Sequence, residues 1–282
     1  NASVKCWGYN TQGQLGQGST SNLGDAGSEM GDNLPAIDLG SGRTALAISV
    51  RTRHTCALLD NASVKCWGFN NKGQLGQGST SNLGDAGSEM GDNLPAIDLG
   101  SGRTALAISA GVYHTCALLD NASVKCWGYN YYGQLGQGST SDLGDAGSEM
   151  GDNLAAIDLG SGRTALAISA GGSHACALLD NSAVKCWGYN AHGTLGQGST
   201  NHLGDADNEM GDNLPAIDLG SGRTALAISA GSAHTCALLD NSAVKCWGFN
   251  NHGQLGHGST SNLGDAGSEM GDNLTAIDLG SG

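Results

Sequence analysis

The chain predicts an all-β fold, a β-propeller of four-stranded antiparallel blades with about 60 residues per blade. Three observations carry that prediction. The sequence repeats itself every 60 residues, and such periodicity marks one supersecondary unit per repeat. Each repeat contains a hairpin that is apolar on both faces. Glycine supplies 48 of 282 residues, whereas phenylalanine supplies 2 and charged residues 13%, which suits tight turns between short strands rather than long helices.

The hairpin runs Cys56-Ala-Leu-Leu-Asp-Asn-Ala-Ser-Val-Lys-Cys66-Trp67-Gly68, and its copies carry Trp7, Trp67, Trp127, Trp187 and Trp247. Asp60-Asn61 is the turn. Folding there sets Cys56 opposite Cys66 and Leu58 opposite Val64 on one face, with Thr55 opposite Trp67 on the other. Both faces need cover, and the next copy of the hairpin is the nearest cover available.

The remaining elements follow in order. Residues 1–8 supply the second half of a hairpin, Tyr9 to Gly18 a glycine-punctuated loop and Ser19 to Asn33 a polar, acidic stretch. Leu34 to Leu39 resumes an alternating pattern. Its Pro35, with Pro95 and Pro215 in other copies but Ala155 and Thr275 elsewhere, predicts an outer edge strand that tolerates a missing N–H. Gly40-Ser41-Gly42 turns the chain. Arg43 to Ser49 has the small side chains expected of an innermost strand, the alternative being a single helical turn too short to stand alone. The boundaries are an outer half-blade at 1–42 and blades at 43–102, 103–162, 163–222 and 223–282, all in one repeat domain. Radial packing explains the two apolar hairpin faces, with a stacked solenoid as the rival. The strands that would complete the first outer half are missing from the last unit. An arc, or part of a larger ring or array, is therefore expected.

Lysine and arginine total 12 against 26 acidic residues, a formal charge of −14. That balance repels a phosphate backbone, so nucleic acid is not an expected partner. No transmembrane run is present, and no membrane span is expected.

The nine cysteines form pairs ten residues apart, Cys56 with Cys66, Cys116 with Cys126, Cys176 with Cys186 and Cys236 with Cys246, plus an unmatched Cys6. Cross-strand neighbours can reach disulfide distance, and disulfides imply an oxidising, secreted or extracellular setting. Cys6 is expected to stay unpaired or to find an external partner. The alternative is buried free thiols in a cytosolic protein; the spacing does not match a structural zinc site. Asn1, Asn61 and Asn121 begin Asn-Ala-Ser, a glycan acceptor in a eukaryotic secretory pathway and otherwise only a good turn.

The segments Trp-Gly-x-Asn followed by Gly-Gln-Leu-Gly, Ile108-Ser-Ala-Gly-x-x-His-Thr115 and Cys-Ala-Leu-Leu-Asp-Asn together resemble the repeats of the regulator of chromosome condensation family. The resemblance covers the whole chain and implies a propeller. Paired cysteines, which belong mainly to secreted-looking members, and an acidic insert in every repeat are departures from the family pattern.

No catalytic constellation stands out, and a non-enzymatic module is expected. His54, His114, His174 and His234 recur before each hairpin and read as structural hydrogen-bonding groups. The acidic insert offers hard oxygen ligands suited to Ca²⁺, namely Asp25, Glu29 and Asp32, then Asp85, Glu89 and Asp92, Asp145, Glu149 and Asp152, Asp205, Glu209 and Asp212, and Asp265, Glu269 and Asp272. The alternative is a solvated turn capped by its own acids. A few loop positions vary against the nearly constant scaffold. Arg51, Arg53, Lys72, Tyr113, Tyr131, Tyr132, His192 and His252 lie among them, and Tyr and Arg are enriched in interface hot spots. They predict a binding face for a protein partner or for further copies of the repeat, against neutral drift at loop tips. The expected function is a secreted module for protein interaction or extracellular assembly. The alternatives are a calcium-dependent glycan binder and, as the family's namesake activity, guanine-nucleotide exchange on a small GTPase.

Overall fold

The strands form where the hairpin pattern places them. A computed structural model describes residues 3–280. In the first full repeat, β1 is Ala45–Val50, β2 His54–Leu59 and β3 Val64–Gly68; then β4 is Ala105–Ala110, β5 His114–Leu119 and β6 Val124–Gly128. The third gives β7 Ala165–Ala170, β8 His174–Leu179 and β9 Val184–Gly188, and the fourth β10 Ala225–Ala230, β11 His234–Leu239 and β12 Val244–Gly248. Each sheet runs in chain order, β1-β2-β3 and its counterparts. Cys56 pairs with Cys66, Leu58 with Val64 and Thr55 with Trp67. The turn closes through Leu59 N–H to Ser63 O at 2.9 Å and Ala62 N–H to Leu59 O at 2.9 Å.

The sheets are three-stranded, not four-stranded. The outer segment is extended and makes one backbone bond to the neighbouring strand, Ile97 N–H to Val64 O at 2.8 Å. An aspartate turns its end in each repeat, Asp98 Oδ1 accepting the Gly100 N–H at 2.9 Å, as Asp38, Asp158 and Asp218 do in theirs. The copies with Ala155 and Thr275 in place of proline stay out of the sheet as well, so the missing N–H of Pro95 does not decide it. Lys65 Nζ instead gathers carbonyl groups on either side, donating to Leu39 O at 3.0 Å and to Gly91 O at 2.8 Å. Lys185 and Lys245 do the same in their repeats.

The inner strand is less covered than the crowded axis position predicted for it. A bulge falls between Ala45 and Ala47 and recurs in every copy of this strand. It adds one residue to β1, and that residue, Leu46, is 67% exposed.

The chain gathers into two compact units, Asn1–Asn121 with Trp127–Tyr129 and Asp142–Ala155, and Ala122–Cys126 with Asn130–Ser141 and Ala156–Gly282. In the first, the cystine face of one repeat (Cys56, Leu58, Val64, Cys66) packs against the tryptophan face of the next (Ala117, Leu119, Trp127). Trp67, Ala57 and Leu59 cover Val4, Ile37 and Leu39 in the same manner. In the second, Cys176, Leu178, Val184 and Cys186 pack against Ala237, Leu239 and Trp247. Trp67 Nε1 donates to Gln14 O at 3.2 Å, Trp127 Nε1 to Gln74 O at 3.1 Å and Trp247 Nε1 to Thr194 O at 3.1 Å. A buried indole thus finds the polar partner it needs.

Candidate binding face

The loop after the third strand of each sheet begins with an aromatic residue, and that residue is fixed by backbone contacts. Phe69 N–H donates to Arg53 O at 3.0 Å, and Tyr129 N–H to Tyr113 O at 2.8 Å. Gly68, at φ +110°, permits the approach, because a Cβ there would collide with Arg53 O and His54 Cα. Buried Asn70 then braces the loop, donating to Ser79 O and Ser81 O while its Oδ1 accepts the Leu75 N–H at 2.8 Å.

On this support the variable residues assemble into a ridge in each unit. In the first, the Arg53 guanidinium lies 5.2 Å from the Phe69 ring and 5.4 Å from the Tyr113 ring. Tyr113 meets Phe69 and Tyr129 edge-on at 6.2 Å each. Lys72 Nζ sits 5.1 Å from the Tyr129 ring and 3.0 Å from Asp142 Oδ2. In the second unit Tyr131 packs on Tyr132 at 5.0 Å, Tyr132 on Tyr189 at 4.9 Å, and Tyr189 on His202 at 5.2 Å. His192 lies 4.8 Å from Phe249, and Phe249 lies 6.4 Å from His252. Tyr131 is 62% exposed at the crest. Rings held by other rings lose little freedom on binding, which favours recognition.

The repeat motifs that frame this ridge are matched by known sequences. Profiles of the regulator of chromosome condensation (RCC1) repeat match residues 63–118, 106–134, 166–194 and 226–254. The matched segments are RCC1 repeats. The chain is 26% identical to the human E3 ubiquitin-protein ligase HERC2 over 91% of its own length and 5% of that protein's. It is 29% identical to the Ultraviolet-B receptor UVR8 of Arabidopsis thaliana, over 90% of this chain and 51% of the receptor. It therefore spans about half, or far less, of these relatives. Among solved structures, yeast RCC1 (Prp20) bound to Kap60 matches with a TM-score of 0.63 at 20% identity, covering 90% of this chain and 54% of that one. Human WBSCR16 matches with a TM-score of 0.55 at 17% identity, covering 98% and 79%.

Not every residue expected on the face lies on the ridge. Arg51 lines a cavity of about 360 Å³ with Lys5, Cys6, Trp7 and Tyr9, where burial lowers its pKa from the usual arginine range. The constant ring of each repeat (Phe69, Tyr129, Tyr189, Phe249), together with Asp142 and His202, joins the ridge although sequence reasoning passed over all six. An aromatic residue retained at every copy just after Trp-Gly was the available signal.

The acidic inserts are tied into the repeat scaffold. Glu29 Oε2 accepts the N–H groups of Gly24, Asp25 and Ala26 at 2.8, 3.1 and 3.0 Å. These bonds, that of Ala26 foremost, hold the carboxyl below its ordinary pKa. Glu89, Glu149, Glu209 and Glu269 are used in the same way. Asp92 accepts Ser41 N–H at 2.8 Å and Ser41 O–H at 2.5 Å, joining one repeat to the previous one. Asp152, Asp212 and Asp272 repeat that bond with Ser101, Ser161 and Ser221. Among the described residues, no group of three or more His, Cys, Asp or Glu side chains is arranged to hold a metal ion. No helix among them is long and apolar enough to cross a membrane.

Disulfides join Cys56 to Cys66, Cys176 to Cys186 and Cys236 to Cys246. Cys116 and Cys126 are disulfide-bonded as well. Cys6 is free and partly buried, and burial raises its thiol pKa. Asn61 sits on an exposed turn, its Oδ1 accepting Ser63 O–H at 2.7 Å, and Asn121 lies on the matching turn of the next repeat. Asn1 lies outside the described residues.

Proposed function

We propose that this chain is a protein-interaction module of an oxidising, extracellular setting, and that its aromatic ridge is the surface a partner meets. The observation that carries the reading is the exposed Tyr131 packed on Tyr132, which in turn packs on Tyr189. A partly exposed aromatic set, rigid before binding, is the kind of anchor on which protein interfaces concentrate their energy. Fold likeness supports the class, since yeast RCC1 was solved with Kap60 bound. The disulfide-bonded hairpins support the compartment.

The test is a pull-down from an extracellular fraction with the wild-type chain and with Tyr131→Ala and His252→Ala, two exposed positions. A specific partner should be retained by wild type and lost, or weakened at least tenfold, by Tyr131→Ala at unchanged melting temperature. Retention of every partner by both variants would remove the ridge from consideration.

A further inference from the structure

Two loop columns vary among otherwise near-identical repeats, and they meet across successive repeats. The first holds Gln12, Lys72, Tyr132, His192 and His252; the second holds Asn22, Asn82, Asp142, His202 and Asn262. The second column has a fixed duty. Oδ1 of Asn22, Asn82 and Asn262 accepts the N–H of Asn10, Asn70 and Asn250 at 2.9, 3.0 and 3.0 Å, and His202 Nδ1 accepts that of Asn190 at 3.0 Å. An acceptor atom is required there, and Asn, Asp and His can each supply one.

In Asn82, Asp142 and His202 the remainder of the side chain reaches the preceding repeat. Asn82 Nδ2 donates to Gln12 Oε1 at 3.1 Å. Asp142 Oδ2 accepts from Lys72 Nζ at 3.0 Å. The His202 ring meets the Tyr132 ring edge-on at 5.0 Å. Amide faces amide, carboxylate faces ammonium, ring faces ring. The two departures from Asn in this column, Asp142 and His202, fall opposite the lysine and the tyrosine.

We infer that these columns form a matching code that decides which repeat is seated beside which. The need for one follows from the scaffold. When cystine and tryptophan faces are alike in every copy, a repeat fits a wrong neighbour as well as the right one, and exchange between chains or out-of-order docking meets no steric penalty. Discrimination must then come from positions outside the shared core, by matched contacts in the right order and unmatched groups in the wrong one. Lys72 opposite His202 loses its carboxylate. Asp142 opposite Tyr132 loses its cation.

Exchanging the first column between two repeats tests the code. Lys72→Tyr with Tyr132→Lys mismatches both junctions, and adding Asp142→His with His202→Asp matches them again while keeping an acceptor at each site. The mismatched double variant should melt about 2 to 4 °C below wild type, and the fourfold variant should recover most of that loss. A second pair of variants moves the rule to a fresh junction. Gln12→Lys should couple favourably with Asn82→Asp, its neighbour across the junction, and not with Asn22→Asp in its own repeat. The gain should shrink at high salt. The inference is overturned if the fourfold variant melts no higher than the mismatched one, or if Asn22→Asp couples to Gln12→Lys as strongly as Asn82→Asp does.

Discussion

His54 Nε2 lies 2.9 Å from Thr115 Oγ1, so β2 of one repeat and β5 of the next are joined through two buried side chains. The hydroxyl hydrogen is committed elsewhere, because Thr115 Oγ1 donates to Gln74 O at 2.8 Å. His54 must therefore be the donor, which fixes its neutral ring with the proton on Nε2. Burial lowers the His54 pKa from 6.5 to about 4.

That shift predicts an acid limb in stability. The folded state binds the proton more weakly than the unfolded chain, so the contribution of His54 is complete above its ordinary pKa of 6.5 and falls as pH drops towards about 4. At about 1.36 kcal/mol per pKa unit the loss approaches about 3 kcal/mol. Denaturant melts from pH 7 to pH 4 should show the decline, and His54→Gln should remove this residue's share of it. An unchanged slope in that variant would contradict the buried neutral ring.

The third full repeat lacks one hydroxyl that the others use. Thr55, Thr115 and Thr235 donate to Gln14 O, Gln74 O and Thr194 O at 2.9, 2.8 and 3.0 Å, beside the indole N–H that shares each acceptor. Ala175 holds this place in β8, where Gln134 O accepts Trp187 Nε1 at 3.0 Å. Ala175 faces Trp187 in the same register in which Thr55 faces Trp67. Ala175→Thr should therefore stabilise the chain by about 1 kcal/mol, the net worth of one hydrogen bond, and raise the melting temperature by a few degrees.

Lys65 is a buried cation whose partners are two carbonyl groups, Leu39 O and Gly91 O. Burial lowers its pKa, while the nearby Asp92 and Asp38 act against that shift. Lys65→Met keeps the length and apolar stem but leaves both carbonyls without the ammonium. The cost should be about 2 kcal/mol or more, as for a broken bond to a charged group. Thermal melts of Lys65→Met and of Lys5→Met, the exposed copy that donates to Gly31 O at 2.9 Å, separate the buried two-carbonyl role from that of an exposed lysine with a single carbonyl partner among the described residues.

These examples show why some features were legible in the sequence and others were not. Hairpin register follows from letters alone: Cys56, Leu58 and Val64 fall on one face once Asp60-Asn61 is the turn. The loss of the fourth strand was hidden because Asp98 and Lys65 act on backbone groups, and the carbonyls of Leu39 and Gly91 have no letter of their own. Lys65 looks like a solvent-facing lysine for the same reason. The variable residues of the ridge were visible by comparison among repeats, but Phe69, Tyr129, Tyr189 and Phe249 were hidden by their constancy. Asp142 and His202 could be understood only when their neighbours across the junction were known.

Thiol chemistry provides the last prediction. Eight of the nine cysteines are disulfide-bonded, and Cys6 is free. Alkylation of the unfolded chain without reductant should therefore add one label, and alkylation after reduction nine. In the folded chain the single label should go on slowly near neutral pH, because burial raises the Cys6 pKa and starves the reaction of thiolate. The rate should climb as pH rises towards that pKa. More than one label without reductant would mean that hairpin thiols are reduced in the isolated protein, and the oxidising setting proposed for it would lose its chemical basis.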